Sequence, residues 1–360
     1  MSDLVVQRPQ GLYCPPGDFY IDPWRPVDRA VITHAHADHA RSGHGHYLAA
    51  APGAGVLRAR LGDITLQPLA YGERIVHRGV AISLHPAGHV LGSAQVRLEH
   101  GGQVWVASGD YKVMPDASCA PFEPVRCDVF ITESTFGLPV YRWAPDADLF
   151  DQIHAWWSAN AARGCTSLLA CYSFGKAQRL LAGLDASIGP VVVHSAMEAI
   201  NRAYAAQGVS LAPTMPLTAA TGKAANKDSL KRALVLCPPG SATDSLLGRL
   251  GEVQTAFASG WMQLRGARRR GGFDRGFAMS DHADWPGLQQ AIEATGAGRV
   301  IVTHGSVAVM VRYLTERGLQ AQAFETEFGQ EEREPVPSRL RDDAGEVSDA
   351  GLPAGDGPQA

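Results

Sequence analysis

Residues 34–39 read His34-Ala35-His36-Ala37-Asp38-His39, directly after the apolar run Ala30-Val31-Ile32-Thr33. Few features limit a fold more than four ionisable side chains at the end of one strand. An imidazole or carboxylate withdrawn from water without a partner costs free energy. The loop must therefore meet further polar groups or an ion. Imidazole nitrogen and carboxylate oxygen are the donor set that zinc and similar ions prefer. In an extended segment, residues two apart point the same way, so His34 and His36 can grip one ion. Asp38 and His39 lie a turn further on and can reach a second. The alternating alanines leave room for a tight loop. The competing reading is a polar loop with coincidental histidines.

Three distant segments repeat the pattern. Pro86-Ala87-Gly88-His89 follows the strand expected at 81–84, Ser108-Gly109-Asp110 the one at 103–107, and Thr303-His304-Gly305 the one at 300–302. Each sets one ligand-type side chain at a strand end beside glycine, where backbone can approach closely. Taken singly, each is as well read as a structural residue. Together with residues 34–39 they point to two ions sharing one carboxylate. His77, His85, His100 and His154 show no such pattern; His44 and His46 lie close to the ligand loop, where a third metal is the weaker reading, and His194 follows a strand within the second half of the chain, where core or surface use is expected.

Short apolar strands separated by glycine-rich turns fill residues 1–135: 19–21, 30–32, 81–84, 94–98, 103–107 and 129–131. The style changes near 145. A helical period over 148–162 precedes a strand at 167–171, a helix at 175–184, a strand at 191–193, a helix at 196–206, a strand at 234–237 and a helix from Thr243. Strands alternating with helices predict a parallel sheet. From 276 the first style returns. This gives one domain built from 1–145 and 276–330, carrying a second, 146–275, as an insertion.

The formal net charge of −4 disfavours a nucleic-acid partner at first sight. Residues 331–360 hold eight acids against three arginines and no aromatic residue, however. They read as a disordered acidic tail, and the remaining body is near neutral, so local patches decide. Leu264 to Gly272 carries the run Arg268-Arg269-Arg270, and Lys223, Lys227, Lys231 and Arg232 form another cluster. Either run is a solvated face or a phosphate contact. The six cysteines form no Cys-x-x-Cys pair, which predicts reduced thiols. No apolar stretch approaches the ~20 residues of a membrane helix, and Met1 to Leu4 has no signal character. The expectation is a cytoplasmic protein without a membrane partner.

The ordered set His34, His36, Asp38, His39, His89, Asp110 and His304 resembles the metallo-β-lactamase fold, over nearly all of 1–330. The resemblance implies an α/β, four-layer αβ/βα sandwich with two divalent metal ions at one edge, zinc first and manganese the alternative. It implies His34, His36 and His89 on one ion, Asp38, His39 and His304 on the other, and Asp110 between them. Asp22 would support the histidines from behind. The insertion resembles the β-CASP domain of nucleic-acid nucleases. Ile131-Thr132-Glu133-Ser134-Thr135-Phe136-Gly137 and Ser280-Asp281-His282-Ala283-Asp284 match that family's acidic and histidine motifs. Ser259-Gly260-Trp261-Met262 and Ser173-Phe174-Gly175-Lys176-Ala177-Gln178 are similar to stretches of the same domain. The stretch Gly260 to Trp285 is similar to bacterial exonucleases associated with DNA ligase and helicase genes.

What this implies is a two-metal phosphodiesterase acting as a DNA exonuclease in repair, with ligase and helicase as partners. Two cations about 3.5–4 Å apart lower the pKa of a shared water and clamp a phosphodiester; the bridging hydroxide then attacks in line. Asp38, Glu133 and His282 would be the catalytic residues, His282 as the general acid and Glu133 as its orienting carboxylate. Ser173, Lys176 and Arg268–Arg270 would contact the nucleic-acid backbone. One residue pulls toward RNA: His304 stands where Artemis-type DNA enzymes carry valine and RNA-processing enzymes of the superfamily carry histidine. A small-molecule metallohydrolase such as a thioesterase would share the seven ligands without needing the insertion, Glu133 or His282. A nucleic-acid-binding scaffold would have lost ligands.

Overall fold

The computed structural model describes residues 3–222, 227–264 and 272–324. Arg268, Arg269 and Arg270, Lys223 and the acidic tail 331–360 lie outside the described residues.

Two mixed sheets face each other. The first runs Val6–Arg8, Gly11–Cys14, Phe19–Ile21, Arg29–Ile32, His46–Ala50 and Leu66–Leu69 in spatial order. Its first three strands are antiparallel and the rest parallel. The second runs Gln320–Ala323, Arg299–Val302, Val129–Thr132, Gln103–Ala107, Ala94–His100, Val80–Pro86 and Arg74–His77. Period-two alternation decides which residues meet between them. Val80, Ile82 and Leu84, Val96 and Leu98, and Val129 and Ile131 pack against Ile21, Val31 and Leu48. Each such burial contributes about 1.5–3 kcal/mol. The alternate residues face outward onto helices. Val106, Phe130, Val300 and Val302 meet the helices Trp285–Thr295 and Val307–Glu316. Ala30, Ile32, Tyr47 and Ala49 meet the helix Ala54–Leu61 and, beyond it, Ile200 and Tyr204. The order helix, sheet, sheet, helix is therefore a layered α/β sandwich.

The third sheet is parallel throughout, in the order Thr214–Pro216, Val191–Val193, Leu234–Cys237, Thr166–Ala170, Val253–Ala258 and Arg275–Phe277. Strands covered on both faces read as continuous apolar runs, which is why Thr166–Ala170 and Leu234–Cys237 lack alternation. Leu169 and Leu236 face the helices Asp146–Ala162, Lys176–Gly183 and Ser195–Ala206. Leu168 and Val235 face Leu217, Leu246 and Met262. The expected resumption at 276 falls inside the last strand, because Phe257 pairs with Gly276. The chain regains the second sheet at the helix Trp285–Thr295, capped by Asp284, whose carboxylate accepts the Gly287 N–H at 2.9 Å.

Buried polar contacts join the third-sheet unit to the sandwich. The Leu91 N–H donates to the Tyr204 hydroxyl at 3.1 Å. Arg179 pairs with Asp146 and donates to the Ser280 carbonyl, 3.6 Å from Asp116, which in turn pairs with Lys112 at 3.0 Å. Phe136 lies under Gly260 so closely that a Cβ there would stand 2.4 Å from its ring. No helix among the described residues is long and apolar enough to cross a membrane.

Candidate metal centre

The candidate residues lie just beyond the carboxyl ends of strands, where loops can converge. His34 to His39 follow Arg29–Ile32, His89 follows Val80–Pro86, Asp110 follows Gln103–Ala107, Glu133 follows Val129–Thr132, and His304 follows Arg299–Val302. His282 arrives after Arg275–Phe277, from the third sheet.

One atom of each of His34, His36, His89 and Asp110 falls within a common radius, all mutually within 4.8 Å. His36 Nδ1 stands 3.1 Å from His34 Nε2 and 3.0 Å from His89 Nε2. The outward nitrogens all face oxygens: His34 Nδ1 faces Thr33 Oγ1 at 3.1 Å, His36 Nε2 the Phe174 carbonyl at 3.3 Å, and His89 Nδ1 the Asp281 carbonyl at 2.7 Å. With those outward N–H groups donating, three inward lone pairs point at one another. Asp110 Oδ2 closes the remaining side, 3.3 Å from His34 and 3.8 Å from His89. Bare lone pairs facing each other beside a carboxylate repel, unless a cation lies between them. Three imidazoles and one carboxylate fit zinc, and the oxygen acceptors behind the rings are what holds such ligands in one tautomer.

A second group joins through the same carboxylate. His39 Nε2 is 3.2 Å from Asp110 Oδ2 and 3.4 Å from Asp38 Oδ2. Its Nδ1 meets Asp22 at 2.7 Å. Asp22 also accepts the Thr33 N–H at 2.7 Å, and its φ of 44° reflects the tight turn that aims the carboxylate inward. His304, likewise left-handed at φ 51°, sets its ring 5.4 Å from that of His39, tilted by 39°. It lines a small cavity with Asp38, His39 and Asp22, but belongs to none of the groups of mutually close ligand atoms that the other six form.

Electrostatics separate the two groups. Burial, then the neighbouring His34, pushes His36 down to about 3. Burial, then His282 and His34, holds His89 well below the ordinary imidazole range. Both are neutral, as ligands must be. For His39 burial is outweighed by Asp110, Asp38 and Asp22, which hold its pKa well above normal. Burial opposes the charge on Asp110, yet His39 and His282 keep it well below the carboxylate range. Asp110, Asp38 and Asp22 thus favour a cation at His39, a proton without metal and a divalent ion in its place when one binds.

Beside it lies the pair Glu133 and His282. Glu133 is buried, accepts the Tyr111 N–H at 2.8 Å, and places Oε2 2.9 Å from His282 Nδ1. The rings of His282 and His89 are 4.6 Å apart. Burial works against a charged His282, but Glu133, then Asp110, pushes it up to about 10.

Two expected nucleic-acid contacts are placed differently from one another. Ser173 is half-buried on the loop leading to the helix Lys176–Gly183. Lys176 is buried, with Nζ 2.8 Å from Asp281 Oδ1, because Asp281 needs a counter-charge more than solvent needs the ammonium. It is therefore not an exposed phosphate contact. Asp281, Thr33 and the Phe174 carbonyl escaped the sequence reading. Asp281 lay within the motif around His282, but a backbone carbonyl leaves no mark in side-chain chemistry.

No protein-family profile matches the chain. It is 33% identical over 324 residues to a probable DNA ligase of Opitutus terrae, which covers 89% of this chain and 31% of that protein. It is 30% identical over 124 residues to cleavage and polyadenylation specificity factor subunit 3 of Dictyostelium discoideum, covering 33% of this chain and 16% of the relative. The chain thus spans less than a third of the length of these curated relatives. A crystal structure of a protein of unknown function from Enterococcus faecalis shares the fold, with a TM-score of 0.56 at 12% identity, over 84% of this chain and 80% of the other. These similarities agree with the resemblance of the chain to the metallo-β-lactamase-fold β-CASP nucleases.

Proposed function

We propose that this chain is a metal-dependent phosphodiesterase acting on nucleic acid, as a DNA exonuclease with a role in repair. The observation that carries the reading is the position of Glu133 and His282 against the ligand cluster, with the His282 ring 4.6 Å from that of His89. A small-molecule hydrolase needs the cluster but has no need of an acid held beside it. On this reading His34, His36, His89 and Asp110 hold one ion, and Asp110, Asp38, His39 and His304 a second. The imidazole-rich set favours zinc, with manganese the alternative. Bound, such ions supply Lewis acidity toward phosphoryl oxygens and an activated water.

The chain's own residues do the rest. Asp38 and Asp110 fix the charge and orientation of the centre. Glu133 holds Nδ1 of His282 and favours its protonated form. Nε2 of His282 is then the donor that delivers a proton to the departing sugar oxygen. Residues 146–275 are read as the β-CASP domain inserted between 1–145 and 276–330, with Ser173 and Arg268–Arg270 toward the nucleic-acid backbone.

The match to a probable DNA ligase over 89% of this chain supports DNA; a ligase and a helicase are the partners proposed in repair. A second reading, an RNA-processing nuclease, is favoured by the identity of His304 and by the relative named for cleavage and polyadenylation. One panel separates them. The protein, loaded with zinc or manganese, is incubated with end-labelled single- and double-stranded DNA and RNA, with Asp38→Ala and His282→Ala as controls. Shortening of DNA from one end, abolished in both variants, is the expected result. Cleavage of RNA alone would defeat the DNA reading.

A further inference from the structure

Lys176 opens the helix Lys176–Gly183, which belongs to the third-sheet unit, yet its ammonium is spent on a carboxylate at the edge of the metal centre. Lys176 is 5% and Asp281 1% exposed, and they meet at 2.8 Å. Apart from that ion pair, neither carboxylate oxygen of Asp281 meets a hydrogen-bond donor among the described residues. The same residue's carbonyl faces His89 Nδ1 at 2.7 Å, and its successor is His282. The loop before Lys176 touches the centre as well. The Phe174 carbonyl lies 3.3 Å from His36 Nε2. Gly175, at φ +84°, is pressed so close that a Cβ would stand 2.8 Å from Asp281 Oδ2 and 3.6 Å from His36 Nε2.

We propose that Lys176 and Asp281 are a positioning pair through which the third-sheet unit sets the geometry of His89 and His282. The ammonium holds Asp281 in place. The Asp281 carbonyl then fixes the His89 tautomer with Nε2 bare toward His36, and the following residue turns His282 to Glu133. Without Lys176, Asp281 becomes a buried carboxylate with no counter-charge, and the segment 280–282 has to move toward water. This inference rests on the reading that His36 and His89 hold an ion.

The test uses the full chain and four variants: Lys176→Met, Lys176→Arg, Asp281→Asn and the double variant Lys176→Met/Asp281→Asn. Folding is followed by circular dichroism, zinc affinity by competition with a chromophoric chelator, and kcat and KM on bis(p-nitrophenyl) phosphate and on single-stranded DNA. Partners behind ligands of this kind are worth about 10–100-fold in metal affinity. The expected result is a loss of that size for folded Lys176→Met, with kcat lowered on both substrates, KM for DNA little changed, and recovery in Lys176→Arg. If Lys176→Met fails to fold, the double variant removes both charges and is expected to fold with the same loss of zinc affinity. Wild-type zinc affinity in either folded variant would overturn the proposal. So would a defect confined to KM for DNA, which would make Lys176 a phosphate contact. Absence of zinc binding in the unsubstituted protein would instead defeat the reading of the centre itself, before any variant is compared.

Discussion

Gly109→Ala places one methyl group where the fold has no room for it. Gly109 sits between the strand Gln103–Ala107 and Asp110, at φ +55°. A Cβ there would lie 2.6 Å from both Thr33 Cβ and Thr33 Oγ1, and 3.0 Å from Thr33 Cγ2. Thr33 cannot easily yield, since its N–H and its hydroxyl are both committed to Asp22, which holds His39. The left-handed conformation costs an alanine about 1–2 kcal/mol, and overpacking about 1–3 kcal/mol more. The expected total is about 2–5 kcal/mol, from these two effects. Urea unfolding followed by circular dichroism, with chelator present so that bound ions do not contribute, reads it directly. Gly101→Ala is the control. Its φ is +58°, nearly the same, but nothing lies within 4 Å of the added methyl. It should lose only the conformational part, about 1–2 kcal/mol. Zinc affinity should fall in Gly109→Ala and not in Gly101→Ala. Equal destabilisation of the two, with zinc binding unaltered in both, would refute the claim that Thr33 is a fixed wall of the site.

Three other outcomes follow from the same geometry. Glu133→Gln keeps an acceptor for the Tyr111 N–H but removes the charge beside His282, so DNA cleavage should fall by about 10²–10⁴. Loss on bis(p-nitrophenyl) phosphate, whose leaving group needs no proton, should be much smaller; equal losses on both would remove His282 from the acid role. Arg179→Met leaves Asp146 without its guanidinium and Asp116 with Lys112 as its remaining cation, between the third-sheet unit and the sandwich, and should destabilise by about 1–3 kcal/mol in urea unfolding. A shift within experimental scatter would mean that the interface does not depend on that cluster. Chelator treatment should lower the melting temperature, and zinc at 100 times its Kd should restore about 2.7 kcal/mol. A melting temperature indifferent to both would argue against an ion held by the native state alone.

Much of the site was legible because ionisable groups stood out at strand ends. His34, His36, His89 and Asp110 were separable from other histidines only as a set, and the fold brings that set together. Strands with alternating or wholly apolar character, such as Gln103–Ala107 and Val191–Val193, were also plain, since burial on one or both faces writes a pattern. Leu66–Leu69 was not. It is a largely exposed edge strand interrupted by Pro68, a residue tolerated only where a ladder bond is unnecessary. The helix Ala54–Leu61 has no clear apolar stripe, since its surroundings include a second helix as well as the sheet. The surroundings of Lys176 were hidden for a different reason. Ser173 to Gln178 is similar to a stretch of the nuclease insertion and suggested a phosphate contact, and only the fold reveals that residue 281 supplies a carboxylate from more than a hundred positions away.

Bound metal per chain is the measurement that reaches the central claim most directly. Reconstituted with zinc, freed of excess and analysed by elemental mass spectrometry, the protein should hold about two equivalents, as a shared-carboxylate centre requires. Asp38→Ala should hold about one and lose phosphodiester cleavage. Fewer than about one equivalent in the unsubstituted protein, or cleavage undiminished in Asp38→Ala, would contradict a two-ion centre at these strand ends.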